Sequence, residues 1–510
     1  MLITESNRKL SHKMKCCFEI AHDPVVQLPN GLIQGREAVT LKDNTYYAFE
    51  KIPYATPPVG NLRFKAPIPA KNWEGILNTT HLDITCYQQG IDVDYESEDC
   101  LFINVFTPQL PNADEDLQFP VMFYIHGGAF ANGSSRYSAP DLFIDNDVVF
   151  VTINYRLGPF GFLSTQDDVI PGNNGLKDQH LAIQWTHDNI NLFGGDPDKI
   201  TIFGQSAGSA SCAYQLLNQQ SQGLFRGAIL ESGTAINPWA YQRRAREVAF
   251  ATAALINDTF SNSNDSVALL DFLLGIDAKE LKKAGKEYSD SVNADFLNYN
   301  LDAYDNHLDW LVPSDMQIED MTNRTEMGRS IREIYTNGET FLDHFGDGIR
   351  FYSDTGFTRA IIKFAELYCK VAQTYFYQFS YDGELGANDV HYVGAEYVGH
   401  SEELRYIFCR GNGCDFSNYP ISDQISSERI INIWTNFAKF LNSLRTEESC
   451  VKNFRNPTPE PSELLQNITW PLLSTDNGDF LYVDIDENLN IENHPKNVTY
   501  SKWTELYNSL

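Results

Sequence analysis

The chain has 510 residues, with 38 Lys and Arg against 68 Asp and Glu, for a formal charge of −30. A polyanion of this size is repelled by phosphate backbones and by anionic lipid surfaces, which argues against nucleic-acid and membrane-surface partners. A composition 42% hydrophobic and 13% aromatic supplies a sizeable core and excludes a disordered chain.

Nothing in the sequence predicts a membrane span, because no apolar run reaches the length that crossing needs. The start, MLITESNRKLSHKMKCCFEI, has basic residues but no apolar stretch, so it does not read as a secretory leader. Residues 1–23 are read as an N-terminal extension and residues 24–510 as one domain. Length alone would suggest about three domains, but no linker or repeat divides the chain.

In chain order, short apolar runs alternate with turn clusters and helical patterns. Leu101 to Phe106, Val121 to Ile125, Val148 to Asn154, Ile200 to Phe203 and Ala228 to Glu231 read as strands. Continuous apolar runs bounded by turns suit buried strands of a parallel sheet. Gly175 to Asn189, Ser266 to Lys283 and Thr358 to Thr374 read as helices, and Tyr375 to Tyr381 as a late strand. The expected fold is α/β, a large mostly parallel sheet flanked by helices with helical insertions in the second half.

The strongest local signal is Gly204-Gln205-Ser206-Ala207-Gly208. An apolar strand leads in and a helical pattern leads out. A serine on so sharp a turn needs small neighbours, and the following helix aims free N–H groups at a reacting oxygen. His126-Gly127-Gly128 ends another strand, and its glycines let the backbone approach a substrate. The ordinary alternatives are a solvated serine in a Gly-rich turn and a plain strand-end turn.

The segment FGGDPDKITIFGQSAG resembles one signature of the type-B carboxylesterase/cholinesterase family, and EDCLFINV at residues 98–105 resembles a second. Further similar pieces are Arg63-Phe64, Asn154-Tyr155-Arg156 and Asp178-Gln179, and the likeness runs from about residue 24 to 508. The resemblance implies an α/β-hydrolase fold and ester hydrolysis through an acyl-enzyme on Ser206, with no metal or organic cofactor. It implies an oxyanion hole from the N–H groups of Gly127, Gly128 and Ala207. It also implies His400 as the base and a disulfide between Cys86 and Cys100.

A Ser-His pair of this kind needs a carboxylate to orient the imidazole. Family members carry a Glu-Gly after a Pro-led strand, and this chain lacks both. Three readings stay open: Glu287 is the acid, Asp290 is the acid, or the acid and its strand are absent. The last would leave an impaired or non-catalytic relative that binds or sequesters a ligand.

The loop between Cys86 and Cys100 holds no Trp, which disfavours quaternary-ammonium esters. Gln205 stands where the family more often has Glu, and the GQSAG form resembles insect carboxylesterases and juvenile hormone esterases. Tyr397 departs from the hormone esterases, which carry Gly there. The expected partner is a neutral, apolar small-molecule ester, and the expected state a monomer or weak homodimer. The disulfide would suit an oxidising compartment. Seven Asn-x-Ser/Thr sequons are close to the number chance supplies and leave secreted against cytoplasmic open.

Overall fold

The computed structural model describes residues 23–90, 94–112, 117–297, 301–386, 388, 390–408, 415–440, 457–475 and 479–510. All of the proposed extension but Asp23 lies outside these residues, as do Cys409 and Cys414.

The main sheet has seven strands: β1 (Arg36–Val39), β2 (Thr45–Pro53), β3 (Phe102–Thr107), β4 (Phe119–Ile125), β5 (Val149–Ile153), β6 (Gly195–Gln205) and β7 (Gly227–Glu231). Their spatial order is β7-β6-β4-β5-β3-β2-β1. The four strands β7, β6, β4 and β5 are mutually parallel, and the remaining pairings are antiparallel.

Every residue of β3 and β5 is buried, as are all of β4 but Phe119. This is why these strands read as mostly apolar runs: both faces of the sheet are covered, and buried Asn104 and Thr152 bond each other at 2.9 Å. Helix α1 (Asn174–Asn189) precedes β6 and helix α2 (Ala207–Leu217) follows it.

Three readings of the second half change in the structure. The pattern from Ser266 to Lys283 is two helices, α3 (Ser266–Gly275) and α4 (Ala278–Leu297). The break has a local cause: the Asp277 side chain accepts the Lys279 N–H at 2.8 Å, an end-capping contact that starts a new helix. Helix α5 (Arg359–Tyr368) is shorter than its pattern, and the late strand contracts to β8 (Tyr377–Phe379).

Strand β8 does not join the main sheet. It pairs with β9 (Leu481–Ile485), which pairs with β10 (Leu489–Asn493), forming a separate three-stranded sheet. Helix α6 (Ile421–Phe440) packs Ile430, Ile433 and Trp434 into one cluster with Phe143, Phe150 and Phe203 of the main-sheet core.

Candidate active site

Ser206 lies between β6 and α2 with φ 57° and ψ −120°. A non-glycine residue held at such angles costs about 1–3 kcal/mol and persists only where its surroundings impose it. Here the Ser206 N–H donates to the Glu231 carbonyl at 2.8 Å, and its carbonyl accepts the Ala210 N–H at 2.9 Å. A Cβ on Gly208 would sit 1.9 Å from the Ile125 carbonyl oxygen, so only glycine lets α2 start flush against β4. The Ser206 hydroxyl makes no hydrogen bond among the described residues.

The His126-Gly127-Gly128 loop leaves β4 beside this turn. A Cβ on Gly127 would lie 2.5 Å from the Gln205 carbonyl and 3.3 Å from Ser206 Cβ, which shows how closely the loop approaches the serine. Buried His126 fixes the loop. Its ring stacks on Tyr155 at 4.4 Å and its Nδ1 lies 2.9 Å from the Gly127 carbonyl. The Tyr155 hydroxyl donates to the His126 carbonyl at 2.8 Å. Burial pushes the His126 imidazole down to about 4, so it is neutral at ordinary pH.

The side chain of His400 is exposed and borders an open cavity. Partial desolvation by its neighbours lowers its pKa, and Phe357 packs on it with centroids 4.7 Å apart. The side-chain amide of buried Gln205, next to the serine in sequence, donates to His400 Nε2 at 3.3 Å. This occupies the lone pair with which an imidazole would take the serine proton. No carboxylate hydrogen-bonds or ion-pairs with His400 among the described residues.

Glu287 is exposed on α4, and Asp290 forms an ion pair with Lys286 one turn away on the same helix. Gly285 of that helix packs on Pro159, and its carbonyl accepts from Gln89. The structure therefore does not bring either carboxylate to His400.

Two other carboxylates adjoin the segments that carry Ser206 and His400. Glu231 closes β7 and Glu403 follows His400 by three residues; both are buried, and each keeps an oxygen without a hydrogen-bond partner. The other oxygen of Glu231 accepts from Trp434 Nε1 at 3.0 Å. Burial raises both pKa values, and the charge of Glu403 adds to the rise at Glu231. Their only sequence-level signal is an acid at the end of an apolar strand and one three residues after the histidine.

Cys86 and Cys100 form a disulfide, while Cys212 and Cys369 are free. A loop of this length closed by a disulfide contributes about 3 kcal/mol. Arg63 grips Glu98 inside that loop with two hydrogen bonds of 2.6 Å, and Arg156 grips buried Asp178 at 2.8 and 2.6 Å. The two arginines of the similar sequence pieces thus hold neighbouring segments together through ion pairs. Among the described residues no helix is long and apolar enough to cross a membrane, and no cluster of His, Cys, Asp and Glu could hold a metal.

A strained serine between a central parallel strand and its helix, faced by a His-Gly-Gly loop, defines an α/β-hydrolase. The pattern of the carboxylesterase family matches residues 22–311 and 284–503, and the chain belongs to that family. It is 46% identical over 253 residues to venom carboxylesterase-6 of Apis mellifera, covering 48% of this chain and 45% of that protein. It is 43% identical over 275 residues to a carboxylic ester hydrolase of Bombus ignitus, covering 52% and 48%. The chain thus spans about half the length of these two relatives. It is 30% identical over 505 residues to juvenile hormone esterase of Tribolium castaneum, covering 84% and 85%. The crystal structure of juvenile hormone esterase from Manduca sexta with OTFP covalently attached superposes with a TM-score of 0.78. At 24% identity, covering 95% of this chain and all of that one, it shares the fold.

Proposed function

We propose that this chain is a serine ester hydrolase acting on neutral, apolar carboxylic esters. Ser206 Oγ attacks the ester carbonyl carbon while its proton passes to His400 Nε2. The N–H groups of Gly127, Gly128 and Ala207 receive the oxyanion. Collapse breaks the C–O bond, the alcohol leaves with that proton, and water then releases the acid from the acyl-enzyme.

The conformation of Ser206, imposed by the Glu231 carbonyl and by the closely packed Gly208, is the observation that carries this reading. Juvenile hormone esters fall within the substrate class, a narrower reading supported by the likeness to the Tribolium castaneum esterase.

Turnover is slow in this account. Among the described residues no carboxylate orients His400, and its Nε2 is engaged by Gln205. Loss of the orienting acid alone costs about 10⁴ in turnover while binding persists. Hydrolysis of p-nitrophenyl butyrate tests the proposal: weak activity above the blank, abolished in Ser206→Ala, is expected. Activity unchanged in Ser206→Ala would overturn it.

The missing acid favours a second reading, a family member that binds its ligand without turning it over. In that case ligand binding survives with no acylation of Ser206.

A further inference from the structure

The loop that follows β4 is strained and braced from outside. Gly128 and Gly133 have φ of 112° and 116°, and between them Ala129 and Phe130 stand at 54° and 58°. A side chain disfavours that left-handed region, so two non-glycine residues in a row persist there only where their surroundings impose it. Within the loop, the Gly128 carbonyl accepts the Ala131 and Asn132 N–H groups at 2.9 Å. Other segments add contacts: Gly158 N–H donates to the Phe130 carbonyl at 2.8 Å, and Gln89 N–H to the Ala131 carbonyl at 2.8 Å.

A side chain adds a further brace. Gln88, two residues after Cys86, accepts the Gly133 N–H on its Oε1 at 2.8 Å. Gln88 is itself held, because its N–H donates to Glu96 Oε1 at 3.1 Å. Glu96 Oε2 pairs with Lys282 Nζ of α4 at 2.7 Å, and both members of that pair are buried. Gly133 in turn lies against the start of the loop. A Cβ there would sit 2.3 Å from His126 Nδ1 and 2.5 Å from the Gly127 carbonyl oxygen, so only glycine allows the approach. His126 Nδ1 lies 2.9 Å from that same carbonyl. The Gly127 carbonyl and the Gly128 N–H belong to one planar trans peptide and point in opposite directions. Whatever fixes the carbonyl therefore aims the N–H.

We infer that Gln88 is a positioning residue for the oxyanion hole, aiming the Gly128 N–H through Gly133 and the Gly127 carbonyl. It acts through the loop and not on the substrate. The inference rests on the proposed hydrolysis at Ser206 and adds a residue, outside the loop, that sets the direction of a donor. A misaimed donor weakens the tetrahedral state more than the bound ester, because negative charge develops on the oxygen only there.

Gln88→Met keeps the reach of the side chain and removes the acceptor. With p-nitrophenyl butyrate, kcat should fall about tenfold or more while KM stays within about twofold. The affinity of butylboronic acid, whose tetrahedral adduct on a serine hydroxyl mimics the oxyanion state, should fall by a similar factor. Gln88→Asn, too short to reach Gly133, should behave alike, so the comparison stands if one of the two fails to fold. Gln88→Glu keeps an acceptor for the Gly133 N–H and should return kcat to within about threefold of the native value. Native kcat and boronate affinity in Gln88→Met or Gln88→Asn would overturn the inference. So would a raised KM with kcat unchanged, which would mark an altered substrate cavity instead. A native chain with neither turnover nor boronate binding would overturn the hydrolysis at Ser206 itself, a result distinct from an active chain indifferent to Gln88.

Discussion

The side-chain amide of Gln205 donates to Nε2 of His400 at 3.3 Å, so the residue beside the candidate nucleophile holds the nitrogen that a base would use. That geometry requires a neutral imidazole at Nε2, in keeping with the lowered His400 pKa. Gln205→Glu places a carboxylate there and favours the imidazolium. Because the neutral ring is the base, the rising limb of kcat/KM against pH should move upward, by about one unit. The pH profile of p-nitrophenyl butyrate hydrolysis reads this directly, and an unmoved limb would separate Gln205 from the ring.

Glu287 and Asp290 were candidates for the orienting acid, yet one is exposed and the other pairs with Lys286. Glu287→Gln and Asp290→Asn should each keep esterase activity within about twofold, as surface substitutions away from a site do. A loss of a hundredfold or more in either would return that residue to the triad.

His126 gives a pH signature of the folded state. Its folded pKa is lowered to about 4 from an ordinary 6.5, so its contribution is fully present above 6.5 and is lost as pH falls through 4. A shift of that size corresponds to about 3 kcal/mol. Urea unfolding between these pH values should show the loss in the native chain and a flatter dependence in His126→Phe. Equal slopes in both would mean that the ring is not buried neutral.

The Glu231 and Glu403 pair works in the opposite direction. Burial raises both folded pKa values above the unfolded ones, so their contribution is present in acid and is lost as pH rises through the raised values. Glu231→Gln keeps an acceptor for Trp434 Nε1 without a charge. The variant should lose less stability than the native chain between about pH 6 and pH 9, as the melting temperature would show. A variant with the same alkaline loss would contradict the buried placement.

Much of this molecule is legible in its sequence where the signal is local. The strands around Val121 to Ile125 and Val149 to Ile153 read clearly because complete burial of both faces leaves a run that is apolar but for Thr152. The elbow at Ser206 reads because its neighbours must be glycine, and the structure shows what a Cβ there would strike. The rest depends on residues far apart in the chain. Gln205 meets His400 across 195 residues, and no periodicity encodes that contact. The apolar run from Tyr375 to Tyr381 predicts a strand but not its partner, which turns out to be β9 and not β7. The split at Asp277 was visible only as a capping residue inside an otherwise continuous apolar pattern.

In the proposed mechanism Ser206 is a nucleophile held ready by its backbone, even though His400 is poorly placed to assist it. Incubation with a fluorophosphonate probe followed by peptide mass mapping tests this most directly. A single slow adduct on Ser206 is expected, absent in Ser206→Ala and slowed further in His400→Ala. No adduct after prolonged incubation of the folded chain, or an adduct at another residue, would contradict it.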